Sequence, residues 1–120
     1  PYWAFADLYN VDQSDNILHL SVPKDEVVFF DAMDWNKIMR LNYIGENEAE
    51  EKAFFEDMAM RGLNWNDVML TSFYPDWKNK IMESWNRLFR HHEAIKSGDC
   101  SGVHSVQAGL WQIRKDWIEA

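Results

Sequence analysis

The stretch Asn16–Trp35, NILHLSVPKDEVVFFDAMDW, decides the fold that we predict for this chain. It holds two apolar runs, one around Leu20 and one around Phe29, separated by the turn-forming and charged run PKDE. The second run is rich in β-branched and aromatic residues, which fit a pleated strand surface. Asp31 or Asp34 then supplies a helix N-cap. The stretch therefore predicts a strand, a short connection, a buried strand and a helix.

Capping and stop residues define a long helix in the middle of the chain. Asn47 is a favoured N-cap, and Gly62 supplies the left-handed position at which helices commonly end. We therefore predict a helix over about 47–61. Its predicted core-facing stripe is Ala49, Ala53, Phe54 and Met58.

Two further helices flank this one in the sequence. Helical spacing of apolar residues predicts the first over 34–41, with Gly45 ending that segment. Pro75 fits the first position of the other helix. The segment 63–72 is ambiguous, and a short helix around Val68 is one interpretation of it. The apolar stripe of the Pro75 helix is Trp77, Ile81, Trp85, Leu88 and Phe89.

The two ends of the chain carry apolar residues that we expect to be buried. The chain opens with the aromatic and apolar run PYWAFA, which we expect to be buried against the rest of the domain or against a segment upstream of it. Val103–Ile113 predicts a returning strand, with Gly109 at a bulge or a close backbone approach. Trp117 and Ile118 are expected to dock the C-terminus. Together these segments predict a single α+β domain over 1–120, with about three helices packed mainly on one face of a small antiparallel sheet.

Composition excludes several classes of function. The formal net charge is −8, with 12 Lys and Arg against 20 Asp and Glu. Direct binding to nucleic acid or to an anionic membrane is therefore disfavoured, and a basic protein is the expected partner. A single cysteine, Cys100, cannot form an internal disulfide and favours a reducing, cytoplasmic location. No apolar run reaches the length of a membrane span.

The residue types that bind transition metals are concentrated near the C-terminus. His91, His92, Cys100 and His104 form the set, and Cys100 and His104 have the spacing of a half-site. Adjacent histidines on a helix diverge, however, and histidines near a helix end are also explained by the helix dipole. We therefore predict no metal and no other cofactor.

A second candidate site is a pocket lined by Asp31, Trp35, Gln107 and Trp111. Asp31 follows a buried strand and precedes a helix, where ligand-binding residues often lie, although helix capping is the favoured role. Gln107 and Trp111 are predicted on one face of the last strand. This late Gln and the strand–turn–strand segment resemble, at a distance, ADP-ribosyltransferase folds, which bind NAD.

Carboxylates are concentrated on the predicted 47–61 helix. If the helix buries its apolar stripe, several of these side chains project together into solvent. A cluster of this kind either keeps the protein soluble or attracts a basic partner. The predicted binding residues are Glu48, Glu50, Glu51, Glu56 and Asp57.

Arg87 is the cation that the sequence places among aromatic side chains. Trp85 and Phe89 flank it on the Pro75 helix. A guanidinium stacks well on an aromatic ring and pairs well with a carboxylate. We therefore predict that Arg87 makes a structural contact of one of these two kinds.

Four segments, in order, resemble domain of unknown function 3841, a family of bacterial and phage proteins. The resemblance spans nearly the whole chain, although the family has a further N-terminal stretch that is absent here. The resemblance supports the predicted fold and a bacterial or phage setting, and it implies no enzymatic activity, because none is established for the family. The chain also begins without Met, as a processed or excised piece would. The segments are Pro1–Phe5, Val22–Val28 followed by Asp31 and Trp35, Ser84–Phe89, and Val106–Trp111.

Three functions from different classes remain as hypotheses, and the third of them is a structural metal domain that rests on the His and Cys set. The favoured one is a non-enzymatic protein-binding or regulatory module, of the kind that inhibits a nucleic-acid-binding enzyme in a phage or defence setting. The alternative is an NAD-binding, ADP-ribosyltransferase-like enzyme. The sequence leans away from an enzyme, because it contains no glycine-rich phosphate loop and no nucleophile elbow.

Overall fold

The computed structural model describes residues 2–6 and 16–119. Contacts divide the chain into two compact units, the sheet unit (Pro1–Met33 with Phe89–Ala120) and the helical unit (Asp34–Leu88). Strands and helices are both present, so the predicted α+β class is confirmed. The prediction of a single domain stays a prediction.

A three-stranded antiparallel sheet forms the centre of the sheet unit. Its strands are β1 (Tyr2–Phe5), β2 (Val27–Asp31) and β3 (Val106–Leu110). The strand order is β1-β3-β2, so the last strand of the chain lies between the other two. Four of the five residues of β3 are buried, as expected for a central strand.

The register of the sheet assigns each side chain to one of two faces. Phe29 pairs with Ala108, and Phe30 pairs with Gln107. Since neighbours along a strand alternate between faces, Ala108 and Gln107 lie on opposite sides. One face buries a core cluster of Val27, Ala108 and Leu110.

The first predicted strand is wrong. The apolar run around Leu20 makes a single bridge, to Ile118, instead of joining the sheet. Ser21 N donates to Trp117 O at 2.7 Å, and Trp117 is 5% exposed. The run therefore pairs with the C-terminal segment. This contact confirms the predicted docking of Trp117.

The chain start also differs from the prediction. It forms β1 at the sheet edge, where Tyr2, Trp3 and Phe5 are 54%, 49% and 43% exposed. Burial of these rings was predicted from their apolarity, but side chains of an edge strand alternate between faces and pack against one neighbour only. The β3 strand is shorter than predicted, and Gly109 pairs regularly on both sides, without the predicted bulge.

Helices occupy most of the middle of the described chain. Their bounds are α1 (Ala32–Met39), α2 (Glu48–Met60), α3 (Trp65–Met69), α4 (Pro75–Ser84) and α5 (His92–Lys96). A 3-10 turn, Trp85–Phe89, extends α4. Sequence analysis missed α5, which has only five residues and too little apolar spacing to signal a helix.

Several local signals acted as predicted. The Asn47 side chain accepts from Glu50 N, Gly62 has φ +71°, and Pro75 opens α4. The stop assigned to Gly45 is wrong, because α1 ends at Met39 and the left-handed residue is Leu41, with φ +57°. A non-glycine residue in that conformation gives little signal in a sequence.

The core of the helical unit is built from large side chains. Trp indole groups tie the segment after α1 to later helices: Trp65 Nε1 donates to Leu41 O at 3.0 Å, and Trp85 Nε1 donates to Asn42 O at 2.8 Å. These bonds satisfy carbonyl groups that follow the end of a helix. The buried residues of this core are Tyr43, Met58, Val68, Met69 and Ile81.

Within the described ranges, no helix is both long and apolar enough to cross a membrane.

Candidate functional site

The solvent-facing side of α2 is the strongest candidate surface. The predicted burial of Ala49 and Ala53 is wrong, because both are exposed, while Phe54 is half-buried and Met58 is buried. Met60 is 87% exposed. We call this surface the α2 outer face and define it by the exposed residues of the helix: Glu48, Ala49, Lys52, Ala53, Glu56, Asp57, Ala59 and Met60.

Three of the five predicted binding carboxylates lie on this face. Glu48, Glu56 and Asp57 are exposed. Glu56 lies 3.8 Å from Lys52 Nζ, and Asp57 accepts from Arg61 Nε at 3.1 Å. Exposed pairs of this kind contribute about 0–1 kcal/mol and open readily. These carboxylates are therefore accessible to a partner.

The other two predicted binding carboxylates point away from solvent. Glu51 Oε2 lies 3.0 Å from Lys37 Nζ, and the Glu51 side chain is only 19% exposed. Glu50 Oε1 accepts from the Tyr43 hydroxyl. Glu50 Oε2 is buried without a hydrogen-bond partner among the described residues. Glu50 and Glu51 are thus part of the packing of the helical unit, which corrects their assignment to a shared solvent surface.

The Tyr43 hydroxyl joins Glu50 to Arg87. Arg87 Nη1 donates to Tyr43 Oη at 3.2 Å and to Ile44 O at 2.7 Å. Burial and the Glu50 carboxylate raise the pKa of Tyr43 despite the Arg87 guanidinium, so the hydroxyl remains protonated and donates to Glu50. Arg87 also lies over the Tyr43 ring and 3.5 Å from Glu46. The predicted aromatic and carboxylate contacts of Arg87 are both confirmed.

The residues of the predicted pocket are not brought to one face of the sheet. Asp31 pairs with Val106 and so projects on the side opposite to Gln107. Gln107 is 8% exposed, whereas Trp111 follows β3 and is 74% exposed. Trp35 is half-buried on α1.

Asp31 acts as the cap of α1, as favoured by the sequence. Its Oδ1 accepts from Met33 N at 3.0 Å and from Ser105 N at 3.3 Å, and its Oδ2 accepts from His104 N at 3.0 Å. Burial opposes ionisation, but these hydrogen bonds and the His104 ring outweigh it and lower the pKa of Asp31. The carboxylate therefore also holds the loop that leads into β3.

Two of the four candidate metal ligands, His91 and His104, lie near the Asp31 carboxylate, whereas His92 makes a different contact. His92 Nδ1 accepts from Phe29 N at 3.0 Å, and the two rings stack. His104 lies on Asp31, with Nδ1 3.2 Å from Oδ2. Cys100 is exposed in the loop before β3, and His91 is half-buried. The set predicted from the sequence is therefore not gathered around a common point.

Comparison with known proteins identifies a family without identifying a chemistry. The family model described as Domain of unknown function (DUF3841) matches residues 1–119, and the chain belongs to that family. No curated protein and no solved structure matches the chain.

Proposed function

We propose that this DUF3841 protein is a non-enzymatic protein-binding module whose α2 outer face takes a basic partner. One observation carries the proposal: Met60 is 87% exposed beside exposed alanines, on a helix whose other outward side chains are largely acidic. Specific interfaces combine an apolar centre with a polar rim. Ala49, Ala53 and Met60 would supply the centre, with carboxylates around them.

The negative charge of the α2 outer face would mainly raise the rate at which the partner associates. The chain has a formal net charge of −8, and the carboxylates Glu48, Glu56 and Asp57 outnumber the neighbouring exposed cations Lys52 and Arg61. Complementary charge raises association rates more than it raises final affinity. Proteins that bind nucleic acid present the matching basic surfaces, so an inhibitor of such a protein is the regulatory role that fits best.

The proposed location is the cytoplasm. Cys100 is exposed and is the single cysteine of the chain. An exposed thiol without an internal partner is kept reduced most readily in a reducing compartment.

The alternative enzyme hypothesis gains no support from Gln107. An NAD-binding residue on the last strand must present its polar group to the ligand. Gln107 is 8% exposed on the central strand of the sheet, on the side opposite to Asp31. The binding module therefore remains the proposal.

A defined basic peptide tests the charge component. The probe is an amphipathic Lys/Leu helix, and the measurement is its association rate with the full chain at low and high salt. Glu48→Lys combined with Glu56→Lys should slow association about tenfold at low salt, and the difference should shrink at high salt. Glu26→Lys combined with Glu93→Lys is the matched control. It makes the same charge change at exposed positions of the sheet unit, and it includes one first-turn helix acid, as the test pair does.

The apolar component has its own variant. Met60→Ser should leave the association rate nearly unchanged and raise the dissociation rate, because buried apolar contact acts mainly after encounter. Equal slowing by both charge pairs would mean that only total charge matters. Together with an unchanged dissociation rate for Met60→Ser, that result would remove the α2 outer face as the binding surface.

A further inference from the structure

A pocket of about 510 Å³ lies within the helical unit. Small-molecule sites commonly occupy about 300–1,000 Å³. Four of the lining residues follow the i, i+3, i+4, i+7 spacing of one helical face, along α4 and the 3-10 turn after it. The lining residues are Tyr43, Phe54, Lys80, Glu83, Ser84 and Arg87.

Two cations flank the pocket in a protein that is otherwise acidic. Lys80 Nζ lies 4.9 Å from the Trp77 ring centroid, a cation–π contact that positions the ammonium without neutralising its charge. Arg87 Nη1 donates to Tyr43 Oη and Ile44 O, whereas among the described residues Nη2 has only a long 3.5 Å contact, to Glu46. The Glu46 side chain is 69% exposed, so an incoming anion can compete for that edge of the guanidinium.

The opposite wall is aromatic. The Tyr43 and Phe54 rings stack with centroids 3.8 Å apart and an interplanar angle of 13°. Tyr43 is buried, whereas Phe54 is half-buried and keeps ring surface open. Ser84 Oγ accepts from Ile44 N and donates to Ile81 O, so this hydroxyl is a fixed part of the wall.

We propose that this pocket binds a small organic anion in which a phosphate or carboxylate group is joined to a flat ring. Lys80 and the Nη2 edge of Arg87 supply the positive charge of the pocket, and the anion makes a charge-assisted hydrogen bond to one of them. Phe54 packs against the ring. Glu83 is exposed at the pocket and accepts from a hydroxyl or amino group of the ligand. This site is separate from the α2 outer face, and its test does not depend on a protein partner.

Four probes separate the parts of the proposed ligand. Adenosine 5′-monophosphate joins a ring to a phosphate, and 2-naphthoate joins a ring to a carboxylate. Adenosine and inorganic phosphate each supply only one part. Titration of the isotope-labelled full chain, followed by amide chemical shifts at constant ionic strength, should show at least one joined probe binding with Kd of about 1 mM or tighter. Each isolated part should bind about tenfold more weakly. The better joined probe identifies the anion type.

Matched lysines on α4 test the assignment of the site. Lys80→Gln should weaken the better joined probe about tenfold, the scale of a lost charge-assisted bond. Lys78→Gln should leave affinity unchanged, because Lys78 is on the same helix but does not line the pocket. Phe54→Leu should weaken ring-bearing probes and leave inorganic phosphate unaffected. Failure of both joined probes to bind at about 5 mM, or equal effects of the two lysine variants, would overturn the proposal.

Discussion

The longest-range hydrogen bonds of the sheet unit span more of the chain than those of the helical unit do. In the sheet unit, Phe29 N donates to the ring of His92, 63 residues later, and Asp31 accepts from His104 N, 73 residues later. In the helical unit, Asn47 and Asn64 each cap a helix by accepting from the backbone N–H three residues later. The comparison teaches that the requirement to pair buried donors and acceptors leaves a local signal at helix caps and a dispersed signal where distant segments meet, as Ile44 N and Ser84 Oγ also do in the helical unit.

Buried aromatic side chains and buried carboxylates stabilise the chain in different ways. Phe54, Trp77 and Trp85 pack against the hydrophobic core cluster of the helical unit. Buried carboxylates occur in both units: Asp31 of the sheet unit is 2% exposed, and Asp34 of the helical unit is 3% exposed. Loss of an aromatic side chain removes packing contacts, whereas loss of a buried acceptor leaves its hydrogen-bond donors unpaired. Variants of the two kinds should therefore differ in size and in pH dependence.

The largest effect is expected from Trp85→Ala. Trp85 packs against the helical core and donates to Asn42 O, so truncation should lower the free energy of unfolding by about 3 kcal/mol. Trp111→Ala is the matched control, because Trp111 is 74% exposed and its loss should cost less than about 0.5 kcal/mol. Urea denaturation followed by circular dichroism measures both. Similar losses in the two variants would place Trp85 outside the core.

The loss of stability caused by Asp31→Asn should depend on pH, unlike the loss caused by Trp85→Ala. An amide can keep only one acceptor oxygen, so a donor among His104 N, Met33 N and Ser105 N loses its partner, and stability should fall by about 2 kcal/mol at pH 7. The pKa of Asp31 is lowered in the folded state. Its contribution is therefore present above the ordinary value of 3.8 and is lost as pH falls through the lower folded value.

Urea midpoints of the wild type and the Asp31→Asn variant should accordingly converge below about pH 4. Asp99→Asn is the control, since Asp99 is exposed and, within the part of the chain that the structure describes, its carboxylate accepts only from neighbouring Ser101. The urea midpoint of Asp99→Asn should match that of the wild type both at pH 7 and below about pH 4. A gap between the wild type and Asp31→Asn that stays constant with pH would show that the charge of Asp31 contributes nothing.

The smallest effect is expected from Asn47→Ala, which removes a local cap. The cost should be about 1 kcal/mol, because the Glu50 N–H loses its side-chain acceptor. Asn79→Ala is the control, at an exposed position inside α4, where alanine has the higher helix propensity and should stabilise by a few tenths of a kcal/mol, roughly. Thermal melts of the two variants should move in opposite directions. A downward shift in both would mean that Asn47 contributes by something other than capping.

The predictions that match the structure are those that rest on residues close together in the sequence. Asn47, Gly62 and Pro75 were assigned correctly because caps, left-handed stops and first-turn prolines depend on a few neighbouring residues. The run around Leu20 was assigned to a strand because its composition is that of a strand, but composition does not choose a partner. Its partner is the segment around Ile118, almost a hundred residues away in the sequence.

The candidate surfaces divide in the same way. The sequence located the acidic helix, but its expected stripe was only partly right, since Ala49 and Ala53 are exposed and Glu50 and Glu51 point inward. A small side chain such as alanine can lie on either the buried or the exposed face of a helix. The burial of Glu50 depends on its hydrogen bond with the Tyr43 hydroxyl. The pocket lined by Lys80 and Arg87 was missed, although the two cations already lie at i and i+7 in the sequence.

The sequence by itself determined the fold class, the family, the excess of negative charge and the places where α2 and α4 begin. These properties depend on composition and on local backbone chemistry. Only the tertiary structure decided that the last strand lies at the centre of the sheet, that Asp31 holds the loop before that strand, and which carboxylates of α2 face solvent. Each of these depends on contacts between residues far apart in the chain, and the free energy of such a contact exists only after the intervening chain has folded.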